Sequence, residues 1–358
     1  MRRHCEAPRA GAILLAATAL AISFAVTAGE FPYRVLHRIA LTGTAPVQAL
    51  AFGPGGRHLY ATAGAELRRY GTVSAAPGNR LKLPGVGVGL AAAARDGGVL
   101  YVATRSPARL LILALRPLRI RASVALRNGE PSALLYDSIG HALYVESRVG
   151  RSVARLDPKN GKTLGVARLH GLLEQMAASG RGMLYVANAA GQELEVIRTV
   201  GMRPDGAIPL SGCTAPSGLA MDTVGRRLFV ACGNGQALVV DEDMGFTFVR
   251  LPIARAASLR AVFAFDPLGP GGWKGGVFMA GDGPALDAIR MKAFISYVGG
   301  GSLLLGGTCT ALALSPVARQ LVLALAPRAA AMGATNAGAT AGGAQLLILG
   351  GDGAEGSQ

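Results

Sequence analysis

Arginine is the residue type with the widest chemical reach in this sequence. Arg105, Arg109, Arg116, Arg119, Arg121 and Arg127 follow one another with no acid between them. A second basic group, Arg148, Arg151, Arg155, Lys159, Lys162 and Arg168, comes shortly after. Cations this dense suit charge-assisted hydrogen bonds to phosphate, as in nucleic acid or lipid headgroups. On the strand-like stretch LRIRASVALR, alternation puts Arg119, Arg121 and Arg127 on one face and Leu118, Ile120, Val124 and Leu126 on the other. Such charges also stop an exposed sheet edge from pairing with another chain. Both groups are nearly free of aromatics, which counts against a dedicated single-strand nucleic-acid binder. Arg116, Arg119, Arg121 and Arg127 are the candidate anionic-surface patch, for weak contact with an anionic polymer or lipid.

The other reactive residue types are scattered. His37, His58, His141 and His170 lack the HExxH or any other close ligand spacing, and no CxxCH is present to attach a haem. GVGVGL at Gly85 has neither the spacing nor the following helix of a phosphate loop, and there is no GxSxG elbow. No metal and no cofactor are expected. The formal net charge of +15 becomes +13 once Arg2, Arg3, Arg9 and Glu6 are set aside. That charge permits contact with anionic surfaces and equally fits a general preference for Ala, Gly and Arg.

Those four charges lie in residues 1–28, where arginines precede an apolar run, Gly11 to Val26, that ends in small residues. This reads as a secretory signal peptide cleaved near Ala28, with a retained N-terminal anchor as the other reading. Export to the periplasm or beyond follows, with no later membrane span. Three cysteines remain, and the expected pair is Cys213 with Cys232, leaving Cys309 buried and free.

The elements that must position these residues are short strands. Cys213 to Pro252 holds four apolar runs separated by turn residues, and its second run, LFVAC, is apolar at consecutive positions. A strand tolerates that only with both faces covered. The run recurs as HLYATA at His58, LYVATR at Leu100, LYVESR at Leu143, LYVANA at Leu184, VFMAGD at Val277 and LVLALA at Leu321. From Leu59 the spacings are 41, 43, 41, 44, 49 and 44 residues, the period of a four-stranded propeller blade. The seventh copy lacks a fourth strand, while YRVLHRIAL from Tyr33 has no blade of its own. The expected fold is all-β, a seven-bladed β-propeller of four-stranded antiparallel blades closed by the N-terminal strand. It occupies residues 29–350 as one domain, with a flexible Ala/Gly loop at 329–343, an insertion around Trp273 and a disordered tail at 351–358.

LYVANA, PSGLAMD, RRLFVAC and LVVDEDMG resemble the YVTN family of bacterial exported β-propellers, including the YncE-like proteins. The similarity covers about Val35 to Pro327 and is most specific from Cys213 to Pro267. It departs at Leu259-Arg260-Ala261, where relatives commonly carry an acid.

In such a ring the first strand of each blade lines a central channel. Counting back from the second strands gives Gln48, Gly89, Ser132, Glu174, Ser217, Ala261 and Thr310 as one mouth, small, polar and nearly uncharged, with Asn188 and Asn234 in adjoining loops. Asn is also a common turn residue at such places. Glu174 is the one acid this count places there, so paired carboxylates for acid/base work are missing. The expected function is a non-catalytic exported module that binds or scaffolds a protein or small ligand. The alternatives are a propeller enzyme or enzyme subunit of lactonase or dehydrogenase type, and nucleic-acid or anionic-surface binding through the Arg-rich rim.

Overall fold

The computed structural model describes residues 31–43, 45–93, 98–265, 275–293, 296–315, 317–327 and 344–351. The expected leader, the insertion around Trp273, the Ala/Gly loop at 329–343 and the tail after Gly351 lie outside these residues. Every regular element among them is a β-strand, and the strands form seven four-stranded antiparallel sheets.

The innermost strands are β2 (Val47–Phe52), β6 (Val86–Ala93), β10 (Ala133–Asp137), β14 (Leu173–Ala178), β18 (Pro216–Asp222), β22 (Leu259–Phe265) and β26 (Thr308–Ser315). Each touches the next, and β26 touches β2, so the ring is closed. The molecule is a seven-bladed β-propeller. Blade 7 is completed from the other end of the chain: β26, β27 (Gln320–Ala326) and β28 (Gln345–Gly351) are followed by β1 (Tyr33–Ala40). Arg34 pairs with Gly350 and Ile39 with Leu346 in that seam. Joining the two ends this way leaves no blade short of its fourth strand.

The consecutive apolar residues of each second strand hold the ring together. Alternation sends the Leu of the motif towards the preceding blade and the aromatic towards the next. Tyr60 shares a core cluster with Leu100, Tyr101 with Leu143, Tyr144 with Leu184 and Tyr185 with Leu228. Phe229 then meets Val277, Phe278 meets Leu321, and Val322 meets Leu59, which brings the circle back to blade 1. The core is therefore seven interblade layers, and each buried aliphatic contributes about 1.5–3 kcal/mol. The tyrosine hydroxyls reach across as well, Tyr101 donating to Pro158 O at 3.1 Å in the neighbouring blade.

Antiparallel order fixes which loops share a face. Connections between blades and the second-to-third strand loops emerge together at the channel mouth. First-to-second and third-to-fourth strand loops emerge at the opposite face. Cys213, in the connection entering blade 5, is bonded to Cys232 at the end of β19 (Arg227–Cys232), with S–S 2.05 Å and Cα–Cα 5.3 Å. Cys309 is free and buried.

Candidate binding site at the channel mouth

Five of the seven inner strands start irregularly, and that irregularity helps to build the site. Gln48, Ser217 and Thr310 are each an extra, unpaired residue at a β-bulge, and in β6 the extra residue is Val88. β14 bulges over two residues, Glu174 and Gln175. A bulge re-aims side chains at the end of a ladder, here towards the axis. The axis itself is crowded: a Cβ on Gly89 would lie 2.6 Å from Leu134 Cβ of the next inner strand.

The resulting cavity has a volume of about 640 Å³, the size of a small-molecule site. Gln48, Gly89, Ser132 and Thr310 line it, together with Arg105, Glu130, Arg148, Gln175, Arg260 and Asp282. The mouth is thus charged, which corrects the expectation of a nearly neutral ring. Arg105 and Arg148 belong here and not on the outer rim where the basic groups placed them.

Three expected mouth residues do not line the cavity, the first being Glu174, whose place is taken by its neighbour Gln175. Ala261 is packed in the core between blades 5 and 6, and its neighbour Arg260 takes the lining position. Ser217 is buried, its Oγ accepting from Leu259 N at 2.9 Å. Blade 5 adds no lining residue because Gln175 lies over its inner strand. Gln175 Oε1 accepts from Leu219 N at 3.2 Å and Ala261 N at 2.9 Å, and its Nε2 donates to Ala261 O at 2.8 Å. One side chain of blade 4 thereby ties the inner strands of blades 5 and 6.

Half-buried Ser132, at the cavity wall, pairs with the buried Glu146 behind it. Ser132 Oγ donates to Glu146 Oε1 at 2.6 Å and accepts from Arg148 N at 3.0 Å. That second bond takes one hydroxyl lone pair and makes the serine a bridge between the first two strands of blade 3. Glu146 Oε2 is buried with no hydrogen-bond partner. Burial pushes the Glu146 carboxyl up to about 7, with Ser132 and Arg148 pulling the other way. Burial also raises Glu174, against the pull of Arg148 and Arg260. Glu174 is committed to Arg148, its Oε2 2.8 Å from Nη2.

The remaining acids are engaged too. Glu130 accepts from Ser106 Oγ at 3.2 Å, and Asp282 from Ser258 N at 3.1 Å. The arginines are less committed. Arg260 uses Nε to donate to Thr310 O at 2.9 Å, and the Arg105 guanidinium makes no hydrogen bond or ion pair among the described residues. Next to the mouth, a shallow cleft lined by Arg148, Val149, Arg151, His170 and Leu172 runs between blades 3 and 4.

No protein-family model matches the chain, and no curated protein matches it. The solved structure of U3-55K superposes with a TM-score of 0.68, covering 88% of this chain and 98% of that one at 12% identity. What the two share is the propeller. At that identity the likeness is one of fold, and the chemistry must be argued from the side chains.

The other candidate residues are dispersed. Asn188 closes the turn after its strand, accepting from Gly191 N at 3.0 Å and donating to Glu193 and Glu195. Asn234 donates to Gly212 O at 2.8 Å. Neither lines the cavity. The basic patch is split: Arg119 and Arg121 lie on the outer strand β9 (Leu118–Ala125), while Arg116 and Arg127 flank its opposite ends. Arg155 also leaves the rim, donating to Thr199 O of blade 4 at 3.0 Å. Among the described residues no cluster of His, Cys, Asp and Glu could hold a metal ion.

Arg105, Arg148, Arg260, Glu130 and Asp282 are the functional candidates that counting missed. A signal for three of them was present. Arg105, Arg148 and Asp282 are the sixth residues of LYVATR, LYVESR and VFMAGD, the point where each second strand turns over the mouth.

Proposed function

We propose that this chain is a non-catalytic binding propeller whose channel mouth takes a carboxylate-bearing ligand, either a small molecule or an acidic segment of a partner protein. The observation that carries the reading is the asymmetry of commitment at the mouth. The acids there already hold donors, whereas Arg105 is unpaired and Arg260 spends one of its five N–H groups. A carboxylate is the group that completes such guanidinium forks. The ligand would sit in a cavity deep enough to exclude part of the solvent.

The same proposal places the protein outside the cytoplasm, among YVTN-like exported propellers. The arginine-led apolar leader and the Cys213–Cys232 bond both suit an oxidising compartment. LYVANA and PSGLAMD support the kinship.

Calorimetric titration with citrate, repeated with a poly-glutamate peptide, tests the reading. Binding is expected for at least one, weakened roughly 10- to 100-fold in Arg260→Ala, the loss of a charged hydrogen bond. Affinity for neither, or affinity unchanged in Arg260→Ala and in Arg105→Ala, refutes it.

A further inference from the structure

The face opposite the mouth carries an arrangement that the channel does not use. Three first-to-second strand loops repeat one pattern: Ile139-Gly140-His141, Val224-Gly225-Arg226 and Val317-Ala318-Arg319, in blades 3, 5 and 7. Ile139, Val224 and Val317 are 55%, 62% and 74% exposed. Each tip is held by a capping side chain at the same position. Asp137 Oδ1 accepts from Ile139 N and Gly140 N, Asp222 Oδ1 from Val224 N and Gly225 N, and Ser315 Oγ from Ala318 N. Three rigid, non-adjacent loops on one ring define a plane.

The third-to-fourth strand loops add to that plane. Val73, Val200, Met244 and Phe246 are exposed there, so among the described residues seven of the twelve exposed large apolar side chains lie on this face, against Val149 and Leu172 on the mouth face. Cations surround them. Arg57, Arg116, Lys159, Lys162 and Arg203 are exposed and have no acidic partner among the described residues. The acids of this face are mostly consumed: Glu242 and Asp243 pair with Arg181 and Arg226, and Asp157 caps its own turn.

We infer that this face docks on an anionic lipid bilayer, with the loop tips entering the headgroup boundary and the cations meeting lipid phosphates. Charge complementarity selects an anionic partner. Six of the seven apolar groups are non-aromatic and Phe246 is the one ring among them, so the face offers several points of insertion between lipids and gives a nucleic acid no array of stacking rings. Such docking would leave the channel mouth facing away from the membrane. The inference rests on the opposite face alone and stands apart from the reading of the mouth.

The test is co-sedimentation at low salt with vesicles of phosphatidylcholine, alone or mixed with phosphatidylglycerol. The protein used begins at Glu30 and carries every strand of the ring. Preferential binding to the phosphatidylglycerol vesicles is expected. It should weaken about fivefold for each of Arg57→Gln and Arg116→Gln, and at least about tenfold in Ile139→Ser/Val224→Ser/Val317→Ser. All variants alter exposed side chains, and an unchanged melting temperature confirms that they fold. No preference for the anionic vesicles overturns the inference. Binding that survives the triple substitution and is competed away by duplex DNA also overturns it, assigning the face to a nucleic acid.

Discussion

Replacing Glu146 by Gln should remove a pH dependence that the wild-type fold carries in its third blade. The carboxyl is wholly buried, with one oxygen 2.6 Å from Ser132 Oγ and the other without a partner. Its folded value lies near 7, against 4.5 for the free side chain. Between those values the folded state keeps a proton that the unfolded state has released. Stability therefore falls as pH rises through this window, and the group's favourable contribution, complete below about 4.5, is gone above about 7. The separation corresponds to about 3 kcal/mol. Gln has the same shape and no charge, so it matches the protonated acid at low pH and avoids the buried anion at high pH. From pH 5 to pH 9 the wild type should lose about 2 to 3 kcal/mol more than Glu146→Gln, seen in thermal melts as a gap widening by about 5 °C. Curves that stay parallel across this range, or a variant less stable than wild type at pH 9, would refute the reasoning.

Other perturbations test other links. Cys213→Ser/Cys232→Ser reopens a loop of sequence separation 19, and should cost about 3 kcal/mol in denaturant unfolding by the loop-entropy relation. Gln175→Ala abandons two backbone N–H groups and one carbonyl on blades 5 and 6, and should cost about 2 to 3 kcal/mol in the same assay. Arg148→Ala deprives Glu174 of the cation that pulls its pKa down, so the Glu174 carboxyl should titrate at higher pH by NMR.

The fold was legible because its determinants are local and repeated. Consecutive Leu and aromatic residues in each second strand report burial on both faces, and each pair is used at two blade interfaces. Closure was legible as a deficit, a missing strand after β28 matched by a surplus strand at Tyr33. The mouth was harder, since counting one residue per blade assumes regular pairing. The bulge of β14 turns Gln175 over Ser217's strand, while in the regularly paired β22 alternation alone sends Arg260 to the mouth and Ala261 into the core. The basic runs misled for a related reason. Linear proximity joined Arg105 to Arg127, whereas the strands between them carry the first to the mouth and leave Arg119 and Arg121 on the outer edge.

The central claim, that the mouth is a receptor for carboxylate, is tested most directly by a crystal structure of the protein grown with citrate. The account predicts a carboxylate hydrogen-bonded to the terminal nitrogens of Arg260 and within reach of Arg105, inside the cavity lined by Gln48, Ser132 and Thr310. A mouth filled by water alone at saturating citrate, or with Arg105 and Arg260 folded onto Glu130 and Asp282, would contradict it.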